Sequence, residues 1–118
     1  MNDPATLNDL RDALRAFAAE REWERFHTPK NLAMALAGEA GEVIEHFQWL
    51  SPEASGALSD EQRSEVALEL ADVLLYLVRL ADVLDIDLAD AARRKLAINA
   101  LRYPPEKARG RSDKYDKL

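Results

Sequence analysis

Four carboxylates in two equally spaced pairs are the side chains of this chain best suited to chemistry. Glu39 and Glu42 form one pair, Glu69 and Asp72 the other, and the members of each pair are three residues apart. On an α-helix this spacing puts both side chains on one face. Both pairs flank apolar seams, so two helices packed along those seams would gather up to four negative charges. Such a cluster is costly to desolvate without cations, and oxygen ligands favour Mg²⁺ or Mn²⁺, so the pattern predicts a divalent-metal site.

The remaining composition narrows the alternatives for this site. The chain has no Cys and two His in 118 residues, which excludes thiolate zinc sites and cysteine nucleophiles and disfavours a multi-histidine zinc site. A di-iron carboxylate bundle needs Glu-x-x-His on two helices, and His46 directly follows Glu45. Acid pairs are also common on exposed helix faces. A non-catalytic helical nucleotide-binding or interaction module is therefore the alternative interpretation.

Glycines accompany the first acid pair. Gly38 and Gly41 flank Glu39, and each costs a helix about 1 kcal/mol relative to alanine. Two such residues in one helix suggest that another backbone or a ligand comes close to this helix.

Four helices are predicted to position these residues, and no strand is predicted. Their approximate ranges are 6–22, 29–50, 59–84 and 87–101, with 51–59 as a loop. Their start signals are Thr6, Thr28 followed by Pro29, Ser59 followed by Gln62, and Asp87. The sequence thus predicts an all-α, four-helix-bundle-like fold.

The third predicted helix is apolar on nearly all sides between residues 66 and 84. A helix with this pattern must be buried nearly all round. Four helices in 118 residues can hardly enclose it, so we expect a self-associating bundle.

Charge is unevenly distributed along the chain. The net charge is −6, which argues against nonspecific nucleic-acid binding, yet residues 102–118 carry six basic and three acidic side chains. We therefore predict an all-α domain over 1–103 and a basic C-terminal tail over 104–118, either disordered or docked. No secretory pattern opens the sequence, and the longest apolar stretch, 73–78, is too short for a bilayer. These patterns predict a cytoplasmic protein without a membrane partner.

The acid pairs also fit a known family signature. Glu39-Ala-Gly-Glu42, 26 intervening residues and Glu69-Leu-Ala-Asp72 resemble the E-x-x-E…E-x-x-D signature of the MazG-like all-α nucleoside triphosphate pyrophosphohydrolases. The stretches FAAEREWERFHTPKNLAMALAGEAGEVIEHFQWL, ELADVLLYLV and KLAINALRYP are similar to the dCTP pyrophosphatase branch. The resemblance covers nearly the whole chain.

The resemblance implies a Mg²⁺-dependent hydrolase, with Mn²⁺ as the other metal considered, that converts a pyrimidine dNTP to the monophosphate and pyrophosphate. It implies dCTP or a 5-modified dCTP as substrate, a role in nucleotide-pool house-cleaning, and a homo-oligomer, with a tetramer favoured over a dimer. It assigns the metal and the catalysis to Glu39, Glu42, Glu69 and Asp72. Which carboxylate acts on the attacking water stays open.

The same resemblance implies further contacts with the substrate. Trp23 and Trp49 would hold the base, and His27 and Asn31 match the same pocket. On the phosphate side the matching residues are Tyr76, Lys95, Asn99, Arg102 and Tyr103. Without the resemblance, the tryptophans fit core positions and the polar residues an exposed helix face.

Overall fold

The computed structural model describes residues 3–118, and within that range it contains helices, turns and loops but no strand. The helices are α1 (Leu7–Glu20), α2 (Pro29–Glu45), α3 (Pro52–Ser55), α4 (Asp60–Val83), α5 (Leu88–Arg102) and α6 (Pro105–Ala108). Single 3₁₀ turns occur at Glu24–Phe26 and Tyr115–Lys117. The all-α prediction is confirmed. None of the helices in this described part combines the length and the apolar character that crossing a bilayer requires.

The four long helices begin where the capping signals predict. Each predicted cap accepts a hydrogen bond from the backbone N–H three residues on, which satisfies one donor that the first helical turn leaves free. These caps are Thr6, Thr28, Ser59 and Asp87. At Ser59, the side chain of Gln62 also accepts from the cap backbone at 2.9 Å, which completes a capping box.

The structure corrects the prediction between the second and third long helices. We expected α2 to reach Leu50 and 51–59 to be a loop, but α2 ends at Glu45 and a short α3 follows. Ser51 accepts from the Ala54 N–H at 3.1 Å and Pro52 occupies the first helical position. Ser-Pro is therefore a helix start here, although it also fits a helix stop.

Two helices end at non-glycine residues in the left-handed conformation. Glu22 follows α1 with φ 54° and Asp85 follows α4 with φ 55°. In each case the next N–H closes the turn onto a carbonyl five residues earlier, from Trp23 to Ala18 and from Ile86 to Ala81. This is the Schellman arrangement, in which glycine is the usual residue at the left-handed position.

The chain divides into two compact units with the boundary between Ile86 and Asp87. Among residues 3–118, the regular secondary structure of both units is helical. The predicted boundary at 103/104 stays a prediction, and the first two residues of the predicted domain 1–103 lie outside the described part.

In the first unit, α4 packs against α1 and α2. The core consists of small and branched side chains, which are Ala18, Leu32, Val66, Val78 and Ala81. Another side of α4 is left exposed by the described residues: Leu70 is 53% exposed, and Leu74 and Leu77 are 37% exposed. The all-round burial that the sequence predicts for this helix is thus not reached by one chain alone.

In the second unit, the C-terminal segment folds back on the end of α5. The Arg102 guanidinium lies 4.6 Å from the centroid of the Tyr115 ring, and Tyr103 meets the same ring edge-on at 6.1 Å. Of the two states considered for this tail, the docked arm is the one that these contacts support.

Candidate functional site

The acid cluster forms where α2 faces α4. Glu39 of α2 and Glu69 and Asp72 of α4 each place one carboxylate oxygen within 4.8 Å of the others. Helix packing thus gathers residues that are far apart in sequence, as the two apolar seams predict. Three carboxylates at this separation are suited to share a cation.

The environment of the cluster penalises its negative charge. Burial raises the pKa of Glu39, and Glu42 raises it further through a hydrogen bond and through its charge. The pKa of Glu69 is raised first by a hydrogen bond with Glu42 and then by burial. Glu39 Oε2 and Glu69 Oε2 are buried without a hydrogen-bond partner among residues 3–118. Buried polar atoms normally have hydrogen-bond partners, so these two oxygens are free to bind a ligand from outside the chain.

Glu42 stands beside the cluster rather than within it. Its side chain is exposed, and the three-oxygen group does not include it, yet it acts on the pKa of both Glu39 and Glu69. His46 approaches from the end of α2, with Nε2 4.0 Å from Glu69 Oε1. The predicted group of four is therefore arranged as three converging acids with a fourth at the edge.

Gly38 and Gly41 of α2 do not make room for another backbone of the described chain. A Cβ added at Gly38 or Gly41 would have no neighbour within 4 Å among residues 3–118 outside the surrounding helix. No backbone of the described chain approaches either position, so that part of the expectation is wrong for the single chain. The space beside these glycines is open.

An aromatic cavity of about 320 Å³ adjoins the acids. Its apolar walls come from Leu14, Phe17, Trp23 and Leu75, and its polar lining from His27, Asp72, Tyr76 and Arg79. Trp23 meets Phe17 edge-on at 5.8 Å and His27 at 6.3 Å, so these rings support one another. Asp72 belongs to both the cavity and the acid cluster.

A second cavity of about 300 Å³ shares Trp23, His27 and Tyr76 with the first. Asn31 also lines it, and its side-chain amide donates to the Phe26 carbonyl at 3.0 Å. Four residues that the resemblance places around the substrate therefore lie together.

The other predicted substrate contacts belong to other elements of the chain. Trp49 follows the end of α2, is 88% exposed and lines neither of the cavities just described within residues 3–118. The remaining four belong to the second unit: Lys95, Asn99, Arg102 and Tyr103. Lys95 is exposed and Asn99 half-buried.

Sequence reasoning missed a chain of charged residues behind the cavity. Arg79 is 8% exposed and donates to His27 Nδ1 at 3.0 Å and to Asp82 Oδ2 at 3.2 Å. Arg15 of α1 donates to both oxygens of Asp82. The available signal was a charged pair, Arg79 and Asp82, inside the most apolar stretch of α4.

Comparison with known proteins identifies the family. Residues 35–118 match the MazG-like family. The chain belongs to the MazG-like family. The prediction of this family from the acid signature is confirmed.

Curated relatives of this MazG-like protein include dCTP pyrophosphatase 1 from Homo sapiens, 48% identical over 115 residues, and from Bos taurus, 46% identical over the same length. Each alignment covers 96% of this chain and 68% of the relative. Among solved structures, a pyrophosphatase from Archaeoglobus fulgidus is similar with a TM-score of 0.79 and 38% identity, covering 88% of this MazG-like chain and 97% of the other.

Proposed function

We propose that this MazG-like protein is a divalent-metal-dependent nucleoside triphosphate pyrophosphohydrolase. Its substrate is dCTP or a 5-modified dCTP, and its products are the nucleoside monophosphate and pyrophosphate. The observation that carries the proposal is that Asp72 belongs to both the aromatic cavity and the acid cluster. One connected site thus offers a surface for a base beside a surface for a metal-bound polyphosphate. The dCTP pyrophosphatase relatives support the same activity, which suits a role in nucleotide-pool house-cleaning.

The acid cluster fits Mg²⁺ or Mn²⁺ by the chemistry of its donors. All its ligand atoms are carboxylate oxygens, the type that hard divalent cations prefer, and two buried oxygens have no partner among residues 3–118. Glu39, Glu69 and Asp72 would hold the cation, with Glu42 completing the set from the edge. When bound, the metal neutralises phosphate oxygens and makes the attacked phosphorus more electrophilic.

The carboxylates also supply a proton acceptor. Water attacks the α-phosphorus, its oxygen forms the new P–O bond, and the bond from that phosphorus to the bridging oxygen of the β-phosphate breaks. The proton that the water loses passes to a carboxylate of the cluster. A carboxylate within hydrogen-bond reach of the attacking water can act as its general base.

The base lies against Trp23 in this proposal. A half-exposed indole beside His27 and Tyr76 provides a flat face on which a pyrimidine can stack. Trp49 is too exposed to serve this pocket within its own chain, so we infer that it joins a pocket through a neighbouring copy. Phosphate contacts by Lys95, Asn99, Arg102 and Tyr103 stay predictions from the sequence, as does the cytoplasmic location.

Self-association follows from the uncovered face of α4. Leu70, Leu74 and Leu77 share one side of α4 by their spacing of four and three, and all are exposed in a single chain. Exposed apolar surface on one helix face marks interfaces. We infer a homo-oligomeric bundle, with a tetramer favoured over a dimer. Light scattering at micromolar concentration tests this, with Leu70→Glu expected to dissociate the assembly and Leu96→Glu, at an exposed leucine of α5, as the comparison variant. A monomeric wild type would contradict the assembly.

A panel of dNTPs assayed with Mg²⁺ tests the function directly. We expect dCTP and 5-methyl-dCTP to be the best substrates, with pyrophosphate and a monophosphate released in equal amounts. Removal of Mg²⁺ with EDTA should stop the reaction. Release of orthophosphate with accumulation of a diphosphate would overturn the reaction assignment. Tight dCTP binding without turnover would instead favour the non-catalytic nucleotide-binding module.

A further inference from the structure

Arg79 is a buried cation in the wall of the aromatic cavity. Its side chain is 10% exposed and contacts Asp82, whose side chain is 8% exposed. Arg15 of α1 donates hydrogen bonds to both carboxylate oxygens of the same Asp82. A buried charge is tolerated when it is paired and hydrogen-bonded in this way. The guanidinium is thus held in one place, with its Nε directed to His27.

The bond from Arg79 fixes the tautomer of His27. An arginine Nε always carries its hydrogen, so His27 Nδ1 must accept, and the neutral ring then carries its proton on Nε2. Burial and the adjacent Arg79 charge lower the pKa of His27, which keeps the ring neutral at neutral pH. His27 therefore presents an N–H donor through Nε2, and its ring lines both cavities.

The cavity combines apolar walls with an excess of donors. Arg79 has more N–H groups than its bonds to His27 and Asp82 use. Asp72 is the carboxylate in the same lining, and it belongs to the acid cluster. The part of the lining formed by His27 and Arg79 therefore suits a flat heterocycle that presents hydrogen-bond acceptors.

We propose that Arg79 is a specificity-determining residue: it fixes His27 as an Nε2–H donor and, together with it, selects cytosine over uracil. This inference rests on the proposed function. Cytosine presents two adjacent acceptors, O2 and N3, on its pairing edge. Uracil carries a hydrogen on N3, which would oppose a donor and leave it unsatisfied. A site built to hydrogen-bond one edge rejects the analogue that cannot make the bonds, because buried polar groups are then left unpaired.

The proposal is tested with Arg79→Met, which keeps an unbranched apolar stem and removes the donors. Arg63→Met, the same change at an exposed residue of α4, is the matched control. The ratio of kcat/KM for dCTP over dUTP should fall about tenfold or more in Arg79→Met, mainly through KM for dCTP, and stay unchanged in Arg63→Met. An unchanged ratio in Arg79→Met would overturn the proposal.

The nucleotide 3-deaza-dCTP, in which C–H replaces N3, sharpens the test. Wild type should lose at least tenfold in kcat/KM on this analogue relative to dCTP, whereas Arg79→Met should hardly distinguish the two. Equal discrimination by both proteins would show that N3 is not read through Arg79.

A spectroscopic measurement separates positioning from simple stability. The ¹⁵N shifts of the histidine rings report which nitrogen carries the proton, and His27→Phe assigns the signals because the chain has two His. Wild type should show His27 protonated on Nε2, and Arg79→Met should show a mixture of tautomers. The same tautomer in both proteins would contradict the positioning role.

His27→Phe also protects the test against misfolding of Arg79→Met. It should lower the dCTP-over-dUTP ratio as much as Arg79→Met, and the double variant should lower it little further. Independent, multiplying losses would show that the two residues do not act together. A wild type that turns over no pyrimidine triphosphate would refute the proposed function, whereas a dCTP preference that survives Arg79→Met would refute this inference alone.

Discussion

Helix α4 carries two charge clusters of opposite construction. Near its middle, Glu69 and Asp72 meet Glu39, and all three side chains are acidic. Ten residues beyond Asp72, Asp82 lies between two arginines, Arg79 and Arg15. In the second cluster, positive and negative side chains alternate, and each forms an ion pair with its neighbour. The first repeats one sign and leaves two buried oxygens unpartnered within the described residues.

The difference shows how the same type of residue serves two purposes. The guanidinium of Arg15, and then the charge of Arg79, lower the pKa of Asp82, so ionisation of Asp82 stabilises the fold. In the acid cluster, burial and Glu42 raise the pKa of Glu39, so ionisation there works against the fold. Carboxylates perturbed in this way are more frequent at functional sites, where a bound ligand offsets the cost of the cluster.

The largest effect expected from breaking the acid cluster is on catalysis. Asp72→Asn should lower kcat for dCTP about 10²–10³-fold, the range found when one electrostatic contact to a transition state is removed. Glu42→Gln should have an effect of the same kind. Pyrophosphate release with Mg²⁺ measures it, circular dichroism checks that the helices remain, and Glu61→Gln at the exposed start of α4 is the control. Activity equal to wild type in Asp72→Asn would remove Asp72 from the site.

Metal binding should show itself as stability. Mg²⁺ at about 100 times its dissociation constant should add about 2.7 kcal/mol to the free energy of unfolding, because it binds the folded state alone. Glu39→Gln should lose most of this gain, while Asp82→Asn should keep it. Thermal melts with Mg²⁺ and with NaCl at equal ionic strength separate binding from screening. An equal gain in wild type and Glu39→Gln would contradict a metal at the acid cluster.

The same type of substitution, aspartate to asparagine, made once in each cluster tests whether the two clusters differ in their effect on stability. In metal-free protein, Asp82→Asn should lower the free energy of unfolding by about 1–3 kcal/mol, because it weakens charged hydrogen bonds and leaves Arg79 buried without a full partner. Asp72→Asn, on the same helix, should cost nothing or raise the melting temperature, because it removes repulsion. Urea titrations give both values. Similar destabilisation by both variants would show that the clusters do not differ as described.

The smallest expected effect is in the pH dependence of the metal-free protein. Because the pKa of Glu39 is raised above its ordinary value of 4.5, the folded state binds more protons than the unfolded state, so stability falls as the pH rises from 4.5 through the raised pKa. Wild type should therefore lose stability relative to Glu39→Gln over this range. The lowered pKa of His27 makes stability rise with pH in both proteins. This contribution cancels when the stability of Glu39→Gln is subtracted from that of wild type. A constant difference would contradict the raised pKa.

Local signals predicted most of the fold. The side chains of Thr28 and Ser59 accept hydrogen bonds from backbone N–H groups three residues later. The starts of α2 and α4 can therefore be predicted from a few neighbouring residues. Helical periodicity also brought Glu39 to the side of α2 that faces Glu69. The end of α2 was missed because Ser51-Pro52 fits both a stop and a start, and only packing decides between them.

The charged network behind the cavity could not be predicted in the same way. A single arginine in an apolar stretch usually extends to solvent, and the partner that keeps Arg79 inside, His27, lies 52 residues earlier. The position of Trp49 was missed for a related reason. It was placed on the helix that carries Glu39, but that helix ends four residues before it.

The two left-handed helix ends give this protein unused room for thermal adaptation. Glu22 and Asp85 adopt a backbone conformation that costs an L-residue about 1–2 kcal/mol, and that glycine adopts freely. Neither residue belongs to the acid cluster or lines the aromatic cavity among the described residues. A lineage moving to hotter surroundings could relax either turn without altering the acid cluster or the lining of the aromatic cavity. The residues that limit stability at these two turns are therefore different from those of the acid cluster and the cavity. Substitutions at the turns can accumulate while the site stays unchanged.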